Sequence, residues 1–115
     1  MKFGIKFEQG EILIVPFPFS DLIGIKQRPV LVLSKTDSNK NREDIITCGI
    51  TSNIKDVNNS VLINNENLMN GEIPKTSRIK VDKLFTLEKS IVKKSIGRLD
   101  KVTFDKVKKE FFNLI

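Results

Sequence analysis

Short apolar runs separated by polar turns set the pattern of this chain. After Gly10 and Glu11 the residues Ile12–Val15 read as a strand ending at Pro16. The Pro-Phe-Pro-Phe that follows cannot donate regularly to a ladder, so it reads as a strand end or edge. Ser20–Gln27 reads as a loop with Gly24 near its tip, and Arg28–Ser34 as a strand rich in Val and Leu. Lys35–Arg42 is polar and loop-like. Asp44–Ile50 is a further strand, which Thr51–Asn53 closes. Residues 53–72 hold seven Asn, a residue suited to turns, and read as turns around one short strand, Ser60–Ile63. Arg78–Leu87 alternates, but the alternation slips near Asp82–Lys83, which predicts a bulge or bend. Val92–Leu99 is another short strand. From Thr103 to Leu114 the apolar residues Phe104, Val107, Phe111 and Leu114 recur at helical spacing, with Lys106, Lys108, Lys109 and Glu110 on the other side. Short strands with one terminal helix predict a mainly β fold, a small antiparallel barrel or curled sheet with a packed helix.

The length of 115 residues fits one domain spanning 1–115. Hydrophobic content of 39% and charged content of 30% fit a soluble globular chain. No secretory leader and no apolar run near ~18 residues is visible, so a cytoplasmic, membrane-free location is expected. The residue types that are missing narrow the chemistry further. There is no His, no Trp and no Tyr, and Cys48 is the single cysteine. A His-dependent triad, a His-pair ribonuclease mechanism and His-ligated zinc are thereby excluded. Neither a phosphate-binding glycine loop nor a dinucleotide fingerprint is present, and the acidic residues are scattered. Neither cofactor nor metal is expected.

The net charge is +6 and it is unevenly placed. Residues 75–109 carry twelve Lys and Arg against four Asp and Glu, the footprint of a polyanion partner or of a Lys-rich solvated surface. Arg28 precedes Pro29, which favours an extended backbone and sets a guanidinium at a strand start. Such a group suits phosphate because its planar donors bind in pairs and stay charged; an ordinary solvent-facing Arg is the plainer reading. Thr51 and Ser52 follow the third strand. Their hydroxyls can orient a phosphate or simply close a turn on nearby backbone. Cys48 lies inside an apolar strand with no base beside it, and reads as a buried small hydrophobe.

The segment GEILIVPFPFSDLIGIKQRPVLVLS, with Ile-Thr-Ser at 50–52 and VDKLFTLEKSIVKKSIGRL at 81–99, resembles the MazF/PemK-type toxin family of type II toxin–antitoxin systems. The resemblance covers nearly the whole chain, its first block being the most specific. It implies an SH3-like antiparallel β-barrel with a C-terminal helix, a homodimer, and metal-independent cleavage of single-stranded RNA such as mRNA. The nucleophile would be the RNA's own 2′-hydroxyl. It further implies that Arg28 and Thr51 are catalytic and that the Ser20–Gln27 loop gates the RNA site. The implied RNA-binding set is Phe17, Ser20, Asp21, Lys26, Gln27, Ser52 and Lys83, with Asp21 or Asp82 as candidates to assist proton transfer. Lys83 stands where the family often has Gln, and Phe85 where it often has a basic residue. Partners implied are single-stranded RNA and a cognate acidic antitoxin. Two other functions fit a chain of this kind. A topoisomerase poison of the CcdB type depends on a Trp-containing tail, and no Trp is present. A non-catalytic SH3-like barrel binding nucleic acid or protein would keep the basic face without needing Arg28 or Thr51.

Overall fold

The computed structural model describes residues 6–18 and 25–115. Among them seven strands form one antiparallel sheet: β1 Glu11–Pro18, β2 Ile25–Val32, β3 Asp44–Thr51, β4 Ser60–Ile63, β5 Leu68–Gly71, β6 Ser77–Glu88 and β7 Lys94–Leu99. Two helices accompany them, α1 Thr36–Lys40 and α2 Lys101–Leu114. The strand order β4-β6-β3-β2-β1-β7-β5 leaves β4 and β5 as the two edges, so the sheet curls into a half-barrel.

Alternation along the central strands explains how the sheet buries both faces. Ile12, Leu31, Cys48, Ile50 and Ile79 join one cluster, over which α2 lays Phe104 and Val107. Their neighbours Leu13, Val15, Val30, Val32 and Ile45 join a second cluster with Phe7, edged by Leu87, Ile91 and Val92. Successive residues point to opposite faces, so a strand that is apolar throughout is one that needs cover on both sides. Helix α2 starts where Asp100 accepts the Thr103 N–H at 2.8 Å. That bond satisfies one of the amide donors a helix start leaves without an internal partner. No helix among the described residues is long and apolar enough to cross a membrane.

The expected slip in the 78–87 strand is present. Gly49 pairs with Lys80 but the next residue, Cys48, pairs with Leu84, so residues 81–83 are extra on β6. The proline pair also falls where its missing donors predict. Strand β1 pairs with β7 only from Glu11 to Ile14, and Pro16 and Pro18 lie beyond that pairing.

Three segments differ from the sequence reading. Strand β2 begins at Ile25, inside the expected loop. The polar stretch 35–42 contains α1. There Asn39 is fully buried and donates through Nδ2 to the carbonyls of Phe7 (2.9 Å) and Ser34 (3.1 Å), while Ser34 Oγ donates to its Oδ1. A polar segment is buried without loss when every polar atom finds a partner, which composition does not reveal. The third is β5, in the Asn-rich region. Its Gly71 has φ +77°, and a Cβ there would sit 2.2 Å from the Ile96 carbonyl oxygen, so this short edge strand needs glycine. Residues 19–24, and with them Ser20 and Asp21, lie outside the described residues, as does the side chain of Phe17.

Candidate functional site

Arg28 reaches its position through the β1–β2 register, which pairs it with Val15. It shares a sheet face with Val30 and Val32, but lies past the end of the β2–β3 pairing at Val30 and Gly49. It is half-buried there. Pro29 has no N–H, so the sheet opens at this point and a cleft can form between β2 and the end of β3.

Two grooves meet at Arg28. The first, of about 480 Å³, is lined by Arg28, Gly49, Thr51, Lys80, Lys83 and Phe85, with Asn53, Lys55 and Val57 as a further wall. The second, of about 390 Å³, is lined by Arg28 with Lys26, Gln27, Ser52 and Lys75 over an apolar floor that includes Ile14, Ile50 and Ile73. Arg28, Pro29 and Ile50 line both and so lie where the two grooves adjoin. Six cationic side chains line the two grooves, and among the described residues no Asp or Glu lines either. Such a surface concentrates anions.

The bulge in β6 brings Lys83 to the first groove. Gly49 lines the same groove, and a Cβ in its place would make ordinary contact with Lys83 Cβ and Phe85 Cε2 at 3.6 Å each. Thr51 ends β3 and pairs with Arg78 across the ladder. Its Oγ1 accepts the Asn53 N–H at 3.1 Å, and Asn53 Oδ1 accepts the Lys55 N–H at 3.2 Å. The turn-closing role expected of a hydroxyl here is therefore filled, and the hydroxyl keeps its own proton for donation.

Of the residues singled out from sequence, Arg28, Thr51 and Lys83 come together on the first groove, and Arg28, Lys26, Gln27 and Ser52 on the second. Asp82 does not line either; its charge instead acts on Cys48. That thiol is buried, and burial first and Asp82 second push its pKa up to about 12, which leaves it no nucleophile. Sequence reasoning missed Lys55, Lys75 and Lys80. Lys80 is legible in principle, since Ile79 and Val81 on either side of it are buried in the core. Lys55 is not, because the chain around it has no period. Among the described residues no cluster of three or more Cys, Asp and Glu is arranged to hold a metal ion.

One family pattern, described as PemK-like, MazF-like toxin of type II toxin–antitoxin system, matches residues 8–114. No curated protein is detectably similar in sequence. Among solved structures, the MazE–MazF complex from Deinococcus radiodurans (Form-III) is similar with a TM-score of 0.76 at 18% identity, covering 96% of each chain. An endoribonuclease from Mycobacterial species is similar with a TM-score of 0.72 at 19% identity, covering 96% of this chain and 92% of that one. The Mycobacterium tuberculosis toxin MazF-mt6 gives 0.68 at 19% identity, over 88% of this chain and 93% of its own.

Proposed function

The chain belongs to the PemK-like, MazF-like family of type II toxins, and on that premise we propose that it is a metal-independent endoribonuclease acting on single-stranded RNA. The observation that carries the reading is the convergence of Arg28 and Thr51 on one groove whose lining charges, among the described residues, are all positive.

The reaction needs no nucleophilic side chain. The RNA 2′-oxygen attacks the neighbouring phosphorus, forming the P–O2′ bond while the P–O5′ bond breaks. The 2′-hydroxyl proton passes to water and the departing 5′-oxygen takes one from water, leaving a 2′,3′-cyclic phosphate and a 5′-hydroxyl. What the protein must supply is stabilisation of the doubly charged phosphorane between these states. Arg28 on a rigid strand supplies fixed positive charge where it develops. Thr51 Oγ1, anchored by the Asn53 N–H, donates its proton to a phosphate oxygen and holds the scissile group in place. Phe85 offers a ring at the groove for an unstacked base, which single strands present and duplexes do not. On the same reading the protein acts in the cytoplasm as a homodimer and is silenced by an acidic antitoxin segment lying across the basic grooves.

The decisive experiment incubates the purified chain with an unstructured RNA oligonucleotide and the same RNA in duplex, in excess EDTA. Cleavage of the single strand alone, with cyclic-phosphate ends, is expected. If chelation stops the reaction and magnesium restores it, the mechanism is wrong; binding of RNA without cleavage would favour a non-catalytic barrel.

A further inference from the structure

The wall formed by residues 53–57 has no regular secondary structure, although it borders the groove. Its residues divide by position. Asn53, Lys55 and Val57 line the groove. The two between them, Ile54 and Asp56, are held by Arg78. The guanidinium Nε donates to the Ile54 carbonyl at 3.3 Å, and Nη1 lies 3.4 Å from Asp56 Oδ1. Nη1 also donates to Ser60 Oγ at 3.2 Å, and that hydroxyl donates to the Val57 carbonyl at 2.6 Å. One buried side chain thus tethers three points of the wall, the third through Ser60. Arg78 itself is fixed on β6, directly opposite Thr51.

We propose that Arg78 is a positioning residue for RNA cleavage, locking residues 53–57 into a lip from which Lys55 meets the phosphate backbone beside the scissile bond. The proposal rests on the reading of the first groove as the RNA-cleaving site. The guanidinium reaches the carbonyl from Nε and the hydroxyl and carboxylate from Nη1, in one fixed plane; a lysine in its place would carry all its donors on a single nitrogen, without the fork. Arg78 has a second effect through charge. Asp56 is 91% exposed on the side-chain scale, and without its partner it would stand as a bare carboxylate beside the path of a polyanion. Neutralising it keeps the rim of the groove attractive to RNA.

Steady-state kinetics on one RNA oligonucleotide test this with Arg78→Gln, Lys55→Ala, their double variant, and Arg78→Gln with Asp56→Asn. Arg78→Gln should raise KM by about tenfold to a hundredfold, the range for losing charge-assisted hydrogen bonds, with kcat changed by less than about threefold. Adding Lys55→Ala should then cost nothing further, because an untethered lip no longer presents that lysine. Adding Asp56→Asn should restore part of the loss by removing the bare charge, but not all of it. Additive effects of Arg78→Gln and Lys55→Ala, or an unchanged KM in folded Arg78→Gln, overturn the proposal. Should Arg78→Gln not fold, the Ser60→Ala variant keeps Arg78 and removes its link to the Val57 carbonyl. It should raise KM by about fivefold, and an unchanged KM there overturns the proposal equally. Arg28→Ala run in parallel separates the two levels. Cleavage surviving in Arg28→Ala refutes the site itself, whereas its loss beside a normal KM in Arg78→Gln refutes only the lip.

Discussion

Arg28 on β2 and Thr51 on β3 each lie two residues past the last pair of their strands, Val30 with Gly49, on the two sides of the point where the sheet opens. Both line one groove. Two side chains 23 positions apart in sequence are thereby held by adjacent strands of a sheet whose neighbouring residues, Val30 and Ile50, are buried. Placement on rigid strands favours catalysis because geometry need not be found again at each turnover.

Replacing Arg28 by Ala should lower the cleavage rate by about a hundredfold to a thousandfold, the usual result of deleting one donor aimed at developing negative charge. The side chain is half-buried at the cleft and absent from both apolar clusters, so the thermal midpoint should stay within a few degrees of the wild type. Thr51→Ser should retain most activity because it keeps the hydroxyl; Thr51→Val should lose it together with the bond from the Asn53 N–H. Initial rates paired with melting curves decide the matter. A fully active, folded Arg28→Ala protein would falsify the catalytic assignment.

Much of this arrangement is legible in the order of residues alone. Ile12–Val15, Ser60–Ile63 and the slip near Asp82 follow from alternation and its interruption, because residues that must face a core cannot change phase freely. Thr51 ends β3, but Arg28 lies three residues inside β2, and the sequence points to both through their match to the family motif and not through strand position alone. Helix α1 and strand β5 are hidden for a different reason. Asn39 is buried through bonds to the Phe7 and Ser34 carbonyls, and Gly71 is required by its fit against Ile96; both are tertiary relationships. Lys55 is hidden because a lip held by Arg78 from another strand has no local signal.

RNA binding should weaken steeply with salt. For a single strand each neutralised phosphate contributes a slope of about −0.7 in log K against log salt. Lys80 and Lys83 line the first groove with Lys55 and Arg28. Lys80→Ala and Lys83→Ala should each reduce the slope by up to about 0.7 and weaken all RNA sequences alike. Fluorescence anisotropy on a non-cleavable 2′-deoxy or 2′-methoxy oligonucleotide, titrated at several salt concentrations, measures both. Slopes identical to the wild type in both variants would remove these lysines from the phosphate path.

Cys48 should behave as inert packing. Its thiol is buried between strands and its pKa lies at about 12, so almost no thiolate exists near neutral pH. A thiol reagent at pH 8 should leave the native protein unlabelled and modify it within minutes in denaturant. Cys48→Ala should leave the cleavage rate unchanged, at a cost in stability of about 1 kcal/mol for the small cavity. Rapid labelling of the folded protein would contradict the buried position.

The start of α2 offers a test in which charge and hydrogen bonding separate. Asp100 has its pKa held below the ordinary carboxylate value, first by the Thr103 hydroxyl, then by the Thr103 N–H, with a smaller contribution from Lys106. The folded state therefore releases this proton more readily than the unfolded chain does. The unfolded state binds more protons between the two pKa values, so stability rises with pH across that window. The contribution is fully present above the unfolded value near pH 4, and is lost as pH falls through the lower folded value. Asp100→Ala should cost about 0.5–2 kcal/mol at pH 7, the range for losing a helix cap, and the gap from wild type should narrow as the pH drops below about 4, because the protonated carboxyl keeps an acceptor but not its charge. Asp100→Asn keeps an oxygen to accept the Thr103 N–H without the charge, so it should lie between the two at pH 7 and lose the pH dependence. Urea midpoints for the three proteins from pH 2.5 to 7 give the comparison, and taking differences removes the contribution of every other carboxylate. A gap between Asp100→Ala and wild type that stays constant over this range would mean that Asp100 is not the group whose proton is linked to folding.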